Sequence, residues 1–338
     1  MRFNIGWVVV QVVVFFVVAQ QVSADSYQSK VSQLRPVHTY SIVARDEKTG
    51  ELGVAVQSHW FSVGSLVPWA KAGVGAVATQ SFLDVRYGAS GLELMQDGWD
   101  AKRTLTALMT ADPHPEIRQV AMIDVNGGVA AFTGDNCIQY AGHRTGKNFS
   151  VQANLMINDG VTEAMERAFL ESDGPLARRM LNALLAAQAV GGDARGKQSA
   201  ALLVVKGKSS GKPWEDRLVD LHVEDNKAPL KELSRLYKLH LAYNHMNKGD
   251  LAIENGNVED ALSEYGAAEE LFPDNLEMKF WHAVSLVNDG RVDESLPIFA
   301  NLFSKEKNWR TLVPRLSEVK LLPQDKETIS KILSVDAQ

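Results

Sequence analysis

Hydrophobic positions along the chain fall into three regimes. The first is one uninterrupted run, Trp7 to Ala19, apolar except for Gln11. The second, from Thr39 to Val223, alternates short strand-like runs with pairs of helical stretches. The third, from about Lys231, has helical periodicity throughout.

Within the second regime, Thr39 to Ala44 and Leu52 to Gln57 flank the turn sequence Asp46-Glu47-Lys48-Thr49-Gly50 and predict a hairpin. The Gly-, Ala- and Val-rich stretch from Val63 to Gln80 predicts closely packed buried strands. Helices follow over Tyr87 to Gln96 and Ala101 to Met109, the second with Asp100 as N-cap. Val120 to Asp124 and Val129 to Thr133, joined through Asn126-Gly127-Gly128, predict a second hairpin. Ser150 to Ile157 is a further strand, Val161 to Leu170 and Pro175 to Val190 are helices, and Ala200 to Val205 and Leu218 to Val223 close the regime as strands. Short hairpin connections predict antiparallel pairing, hence an α+β class, with helix pairs over layered sheets in a four-layer αββα sandwich.

The third regime repeats itself. Gly249 and Ala283, Gly256 and Gly290, Ala261 and Ser295, Tyr265 and Phe299, and Ala268 and Leu302 are each 34 residues apart. Ala261, Tyr265, Ala268 and Pro273 reproduce the small–aromatic–small–proline signature of tetratricopeptide repeats. Small residues there let antiparallel helices approach closely, and the aromatic fills the gap. Two repeats do not stand alone, so capping helices are expected near Lys231–Tyr243 and Lys326–Leu333. Such a tail is expected either to bind a peptide or protein partner or to serve as a spacer or homodimer contact.

Composition narrows the function classes. The 338 residues carry 35 Lys and Arg against 41 Asp and Glu, a formal charge of −6, which argues against a mainly nucleic-acid-binding protein. The lone Cys137 excludes an intrachain disulfide and any zinc site of four cysteines or of two cysteines and two histidines. No HExxH, Walker loop or nucleotide fingerprint occurs, so no cofactor is expected. The first apolar run has about 13 residues, short of the roughly 20 that span a bilayer. With Arg2 before it and Val22-Ser23-Ala24 after it, residues 1–24 read as a signal peptide cleaved after Ala24, and the protein as secreted or periplasmic. An uncleaved anchor over Gly6 to Val22 is the alternative. Residues 25–38 follow as a flexible segment or propeptide, then the sandwich over 39–243 and the helical domain over 244–338.

The first strand starts on a threonine, which has a chemical use. If the chain is cut before Thr39, its hydroxyl and its α-amine belong to one residue. An α-amine has a pKa near 7.7–8.0 and can act as general base for its own Oγ1. Other candidates are polar residues in otherwise apolar or Gly-rich stretches. Gln80 ends a strand-like run. Gln152 and Asn154, at i and i+2, share one strand face, and their amides can donate to an oxyanion or orient a substrate. Asp193, Arg195 and Gln198 crowd the segment before a buried strand, where Arg195 would bind a carboxylate or form a structural ion pair with Asp193. His143, in the loop AGHRTG, is a base or ligand candidate or a hydrogen-bonded loop histidine. Ser41, Ser58 and Ser199 are alternative nucleophiles, and a Cys137–His143 pair rests on sequence proximity alone. Arg45 and Asp46 belong to the hairpin turn.

The stretches HTYSIVARDEKTGELGVAVQS, VPWAKAGVGAVATQ, YGASGLELM, AAFTGDNCIQYAGHRTG, VQANLM and GGDARGKQSAALLVV resemble the domain of unknown function 1028 family. That family is similar in fold to the N-terminal-nucleophile (Ntn) hydrolases. The resemblance covers about Thr39 to Tyr243 and implies an αββα fold and amide-bond hydrolysis, without a substrate. Thr39 matches the family's leading threonine. Here, however, it lies behind Asp25 to His38, so a second cut at His38–Thr39 is required. The expected function is an exported Ntn-type hydrolase of an amide or peptide-like bond, with Thr39 as nucleophile and Gln80 or Asn154 on the oxyanion. The alternative is a non-catalytic envelope binding protein acting through its helical repeats.

Overall fold

The computed structural model describes residues 39–335. The expected signal peptide, the segment 25–38 and the cleavage point after His38 lie outside the described residues. Ten strands and ten helices form among those described. The strands are β1 Thr39–Arg45, β2 Leu52–Ser58, β3 Pro68–Lys71, β4 Gly75–Ser81, β5 Arg118–Asp124, β6 Val129–Thr133, β7 Gly142–Gly146, β8 Phe149–Ala153, β9 Ser199–Val205 and β10 Arg217–Val223. The helices up to the tail are α1 Arg86–Gln96, α2 Ala101–Ala111, α3 Val161–Glu171 and α4 Leu176–Ala189. The tail comprises α5 Pro229–Glu254, α6 Val258–Leu271, α7 Leu276–Asn288, α8 Val292–Lys305, α9 Asn308–Glu318 and α10 Lys326–Leu333. Among the described residues no helix is long and apolar enough to cross a membrane.

The strands make two antiparallel sheets, one ordered β10-β9-β2-β1-β8-β7 and one ordered β3-β4-β5-β6. Side-chain alternation gives each sheet two buried faces. On β1, Tyr40, Ile42 and Ala44 pack with Met165, Phe169, Met180 and Leu184 of α3 and α4. Val43 points the other way and joins Ala76, Ala78, Ala121 and Ile123 of the second sheet. On β5, Val120 and Met122 turn outward to Tyr87, Met95 and Leu105 of α1 and α2. The class is therefore α+β with antiparallel sheets, as the hairpin signals predict. Burial on both faces explains why β9 reads Ser-Ala-Ala-Leu-Leu-Val-Val with no polar alternation.

Local signals account for several boundaries. Asp100 caps α2, its carboxylate accepting from the Arg103 N–H. Asp46 closes the first hairpin by accepting from the backbone N–H groups of Lys48 and Thr49. Two features differ from expectation. AGHRTG is not a loop: its last five residues are edge strand β7, paired to β8. An edge strand with one partner and exposed His143, Arg144 and Thr145 carries no apolar alternation by which to recognise it. The helix expected over Lys231–Tyr243 runs on to Glu254 as the single 26-residue α5.

Helix α5 therefore serves two cores. Leu230, Leu233 and Tyr237 belong to the cluster of α3, α4 and the larger sheet. Ala242 and Met246 belong to a cluster with Ala261, Tyr265 and Met278. A Cβ on Gly249 would lie 2.5 Å from the Tyr265 ring, so α5 and α6 touch where only glycine leaves room. A second tail cluster joins Phe280, Phe299, Phe303, Val313 and Ile332 across α7 to α10. A chain ending at residue 243 keeps Leu230, Leu233 and Tyr237 and is expected to remain soluble and folded. One ending at residue 228 uncovers their partners and is expected to aggregate or to unfold at a clearly lower temperature; circular dichroism melting of the two truncations checks this.

Candidate functional site

The layer between the two sheets is apolar at one end and polar at the other. Along β1, Val43 gives way to Ser41 and Thr39; along β2, Val56 gives way to Ser58. Opposite them, Ala78 is followed by Gln80 on β4, and Ala121 is preceded by Gln119 on β5. Gln152 and Asn154 enter from β8 and the residue after it. Thr39, Ser41, Ser58, Gln80, Gln119, Gln152 and Asn154 are all 0% exposed, so each polar group must find its partner inside the protein. Registers bring them together: Thr39 pairs with Ser58, Ser41 with Gln152, and Gln80 with Gln119.

Hydrogen bonds link these groups in one direction. Ser150 Oγ donates to Gln152 Oε1 (2.9 Å), Gln152 Nε2 to Ser41 Oγ (2.6 Å), and Ser41 Oγ to Gln80 Oε1 (2.7 Å). Gln80 Nε2 donates to Gln119 Oε1 (2.6 Å), and Gln119 Nε2 to Thr133 Oγ1 (2.9 Å), which meets His143 Nδ1 at 2.8 Å. The direction is set at Gln119. Its Nε2 also donates to the carbonyls of Ala153 (2.9 Å) and Gly142 (3.2 Å), which only an amide N–H can do. Gln119 Oε1 must then accept, from both Gln80 and Asn154 Nδ2 (2.8 Å). At the far end Thr133 Oγ1 and His143 Nδ1 share a hydrogen bond whose donor depends on the imidazole tautomer. Desolvation pushes the His143 pKa down from its ordinary value.

Thr39 is fastened at the edge of this network. Its Oγ1 donates to Ser58 Oγ at 3.2 Å. Its carbonyl accepts from the Asn154 N–H at 3.1 Å and from Gln80 Nε2 at 3.3 Å. Thr39, Gln80, Gln152 and Asn154 are thus brought together. His143 joins them through Thr133 at a cleft of about 500 Å³ that Asp135, Cys137 and Tyr140 help to line. The Cys137 Sγ donates to the Arg118 carbonyl instead of pairing with His143, and burial pushes its thiol up from the usual value.

Asp193, Arg195 and Gln198 form a second group. Arg195 grips Asp193 through Nε (3.1 Å) and Nη2 (2.7 Å), and the buried carboxylate also accepts from the His59 N–H (3.0 Å). This ties the segment before β9 to the end of β2, next to Ser58. Burial and then the Asp193 charge push the Tyr40 phenol well above its ordinary pKa. The Gln198 backbone bonds to Ser58, but its side-chain amide turns outward to Asp225. Ser199 Oγ accepts from the Val63 N–H and donates to the Trp60 carbonyl. Asp46 lies at the opposite end of β1 from Thr39.

The residue that sequence reasoning missed is Gln119. Starting the fifth strand at Val120 left it outside, whereas alternation extended back from Ile123 and Ala121 places it on the inward face. Residues 39–233 match the family described as Family of unknown function (DUF1028). The chain belongs to this family. It is also similar to the crystal structure of protein SPO2555 from Silicibacter pomeroyi, which bears the same family designation. Identity is 29%, the TM-score is 0.53, and the match covers 60% of this chain and 88% of that one. No curated protein matches the chain.

Two outcomes are expected of this DUF1028 site. Gln119→Leu strands the donors of Gln80 and Asn154 and two strand carbonyls, at roughly 1–3 kcal/mol for each buried unpaired group; urea denaturation should show a loss of at least about 3 kcal/mol. The His143 ring, followed by NMR, should titrate below the ordinary histidine value of about 6.5; a midpoint above 7 would contradict the desolvation assigned to it.

Proposed function

We propose that this DUF1028 chain is an exported hydrolase of an amide or peptide-like bond, with Thr39 as N-terminal nucleophile after cleavage of the His38–Thr39 bond. One observation carries the reading: the first residue of the family match and of the first strand is a threonine. Its side chain sits at the polar end of the inter-sheet layer, on Ser58. Two facing antiparallel sheets with helices outside them support a sandwich of the Ntn-hydrolase type. The close α5–α6 contact at Gly249 and Tyr265, and the left-handed turns at Gly256 (φ 74°) and Gly290 (φ 80°), 34 residues apart, support a tetratricopeptide-like tail.

Once freed, the Thr39 amine takes the proton of its own Oγ1 as that oxygen attacks the substrate carbonyl carbon. The C–N bond then breaks, the ammonium passes its proton to the leaving amine, and the acyl group stays on Oγ1 as an ester. Water, deprotonated by the same amine, attacks the ester; the acyl C–Oγ1 bond breaks, the ammonium returns the proton to Oγ1, and the product leaves as a carboxylic acid. Ser58, Gln80 and Asn154, which hold Thr39, are neutral, so on this reading the amine itself serves as the base. Asn154, whose Nδ2 is held by Gln119, is the amide that this reading assigns to the oxyanion. Gln80, committed to Thr39 and Gln119, is a positioning residue, and Gln152 supports it through Ser41. The cleft at His143 takes the substrate, while Asp193 and Arg195 brace the wall beside Ser58.

Sequencing the N-terminus of the mature protein tests the reading directly. A start at Thr39 is expected; a start at Asp25 would sink the free-amine mechanism and leave the binding reading of the tail. Thr39→Ala should reduce turnover on a panel of peptide amides by on the order of 10³-fold or more. Because only the neutral amine is a base, the wild-type rate should rise with pH through about 7.7–8.0.

A further inference from the structure

The helical tail contains a cavity of about 360 Å³ between α5, α6 and α7, a size at the lower end of ligand sites. Ile253, Trp281 and Val284 give it apolar walls, with Tyr265 beside them. Asp250 and Glu254, one turn apart on α5, stand on its rim, and among the described residues no basic side chain lines it. Tyr265 donates its hydroxyl to Asp250 Oδ1 at 2.7 Å, which fixes that carboxylate. Leu321, half exposed, forms an apolar shoulder. Its carbonyl is held by Asn288 Nδ2 at 3.1 Å.

Ser285 supplies a second, independent observation. It lines the same cavity, it is 2% exposed, and its Oγ has no hydrogen-bond partner among the described residues. A buried hydroxyl without a partner is costly to the fold, and Ser285 is one of the residues that line this cavity.

We propose that this cavity binds a lysine side chain presented by a peptide. An ammonium group carries three N–H donors and no acceptor. Among the described residues the lining offers acceptors and no competing cation: the carboxylates of Asp250 and Glu254 on the rim and the hydroxyl of Ser285 in the wall. The four-carbon stem of lysine matches the apolar walls, and the Trp281 face favours a nearby cation. Leu321 gives flanking apolar residues of the peptide a surface that a free small amine would leave uncovered. The cavity uses no residue of the Thr39 site, so either reading can fail without the other.

The test uses the full chain and a fluorescein-labelled, N-acetylated octapeptide of Ser, Ala and Leu with one central Lys. Fluorescence anisotropy should show saturable binding that weakens at least about tenfold when the lysine is Nε-acetylated. A similar loss is expected in the Asp250→Asn/Glu254→Gln double variant. Those two residues are exposed, so the double variant should keep its unfolding midpoint. Ser285→Ala should weaken binding several-fold while raising the unfolding midpoint, the opposite of what a purely structural serine would show. The proposal is overturned by absence of saturable binding, by equal binding of the acetylated peptide, or by an unaffected double variant. Binding of 1,5-diaminopentane without binding of the peptide would also overturn it, and would assign the cavity to a free amine.

Discussion

Between the two sheets, one side-chain amide does what apolar packing does elsewhere. Gln119 donates to carbonyls on β8 and at the start of β7, and accepts from amides carried by β4 and by the residue after β8. It therefore stitches the smaller sheet to the larger one at the end where alanine and valine give way to glutamine, serine and threonine. Buried polar groups of this kind stabilise only when every member is satisfied, because each stranded donor or acceptor costs its full desolvation. The order of the chain from Ser150 to His143 follows from that constraint. Once Gln119 is oriented by two carbonyls, the amides upstream of it, Gln80 and Gln152, each have one workable orientation. Thr39, held by Gln80, Asn154 and Ser58, takes its position from the same arrangement.

Much of the fold was legible because its signals are local. The hairpin at Asp46 to Gly50, the Asn126-Gly127-Gly128 turn and the Asp100 cap each depend on residues within a few positions of one another. The candidate site was legible only in part. Thr39, Gln80, Gln152 and Asn154 stand out as polar residues in apolar stretches, and the structure gathers them. Gln119 and Thr133 gain their meaning only from cross-strand register, which pairs Gln119 with both Gln80 and Thr133. Strand β7 was hidden for a related reason: an edge strand is defined by its partner and not by its own pattern. Asp193, Arg195 and Gln198 looked like one cluster in sequence, yet the bidentate pair closes on itself and on His59, while the Gln198 amide leaves for Asp225.

The polar network also explains a division of labour between positions that sequence alone could not separate. Gln80 and Asn154 looked equivalent as amide donors. In the structure Gln80 bonds to Ser41, Gln119 and the Thr39 carbonyl, so its removal would loosen the first strand itself. Asn154 contributes its backbone N–H to Thr39 and its side chain to Gln119. These are different duties, and they follow from where each residue lies: one inside β4, the other just past the end of β8, where its backbone N–H still reaches the first residue of β1.

Helix α5 is the joint between the two parts of the described chain, and it is a rigid one. A flexible loop absorbs an inserted or deleted residue without transmitting it. A continuous α-helix turns about 100° and advances about 1.5 Å for every residue. The angular setting of the tail about the α5 axis is thus encoded in the residue count between Tyr237, seated in one core, and Met246, seated in the other. Along that short span, length is more tightly constrained than composition. Many substitutions leave the phase intact, whereas a single-codon insertion would swing the whole helical array to another side of the molecule.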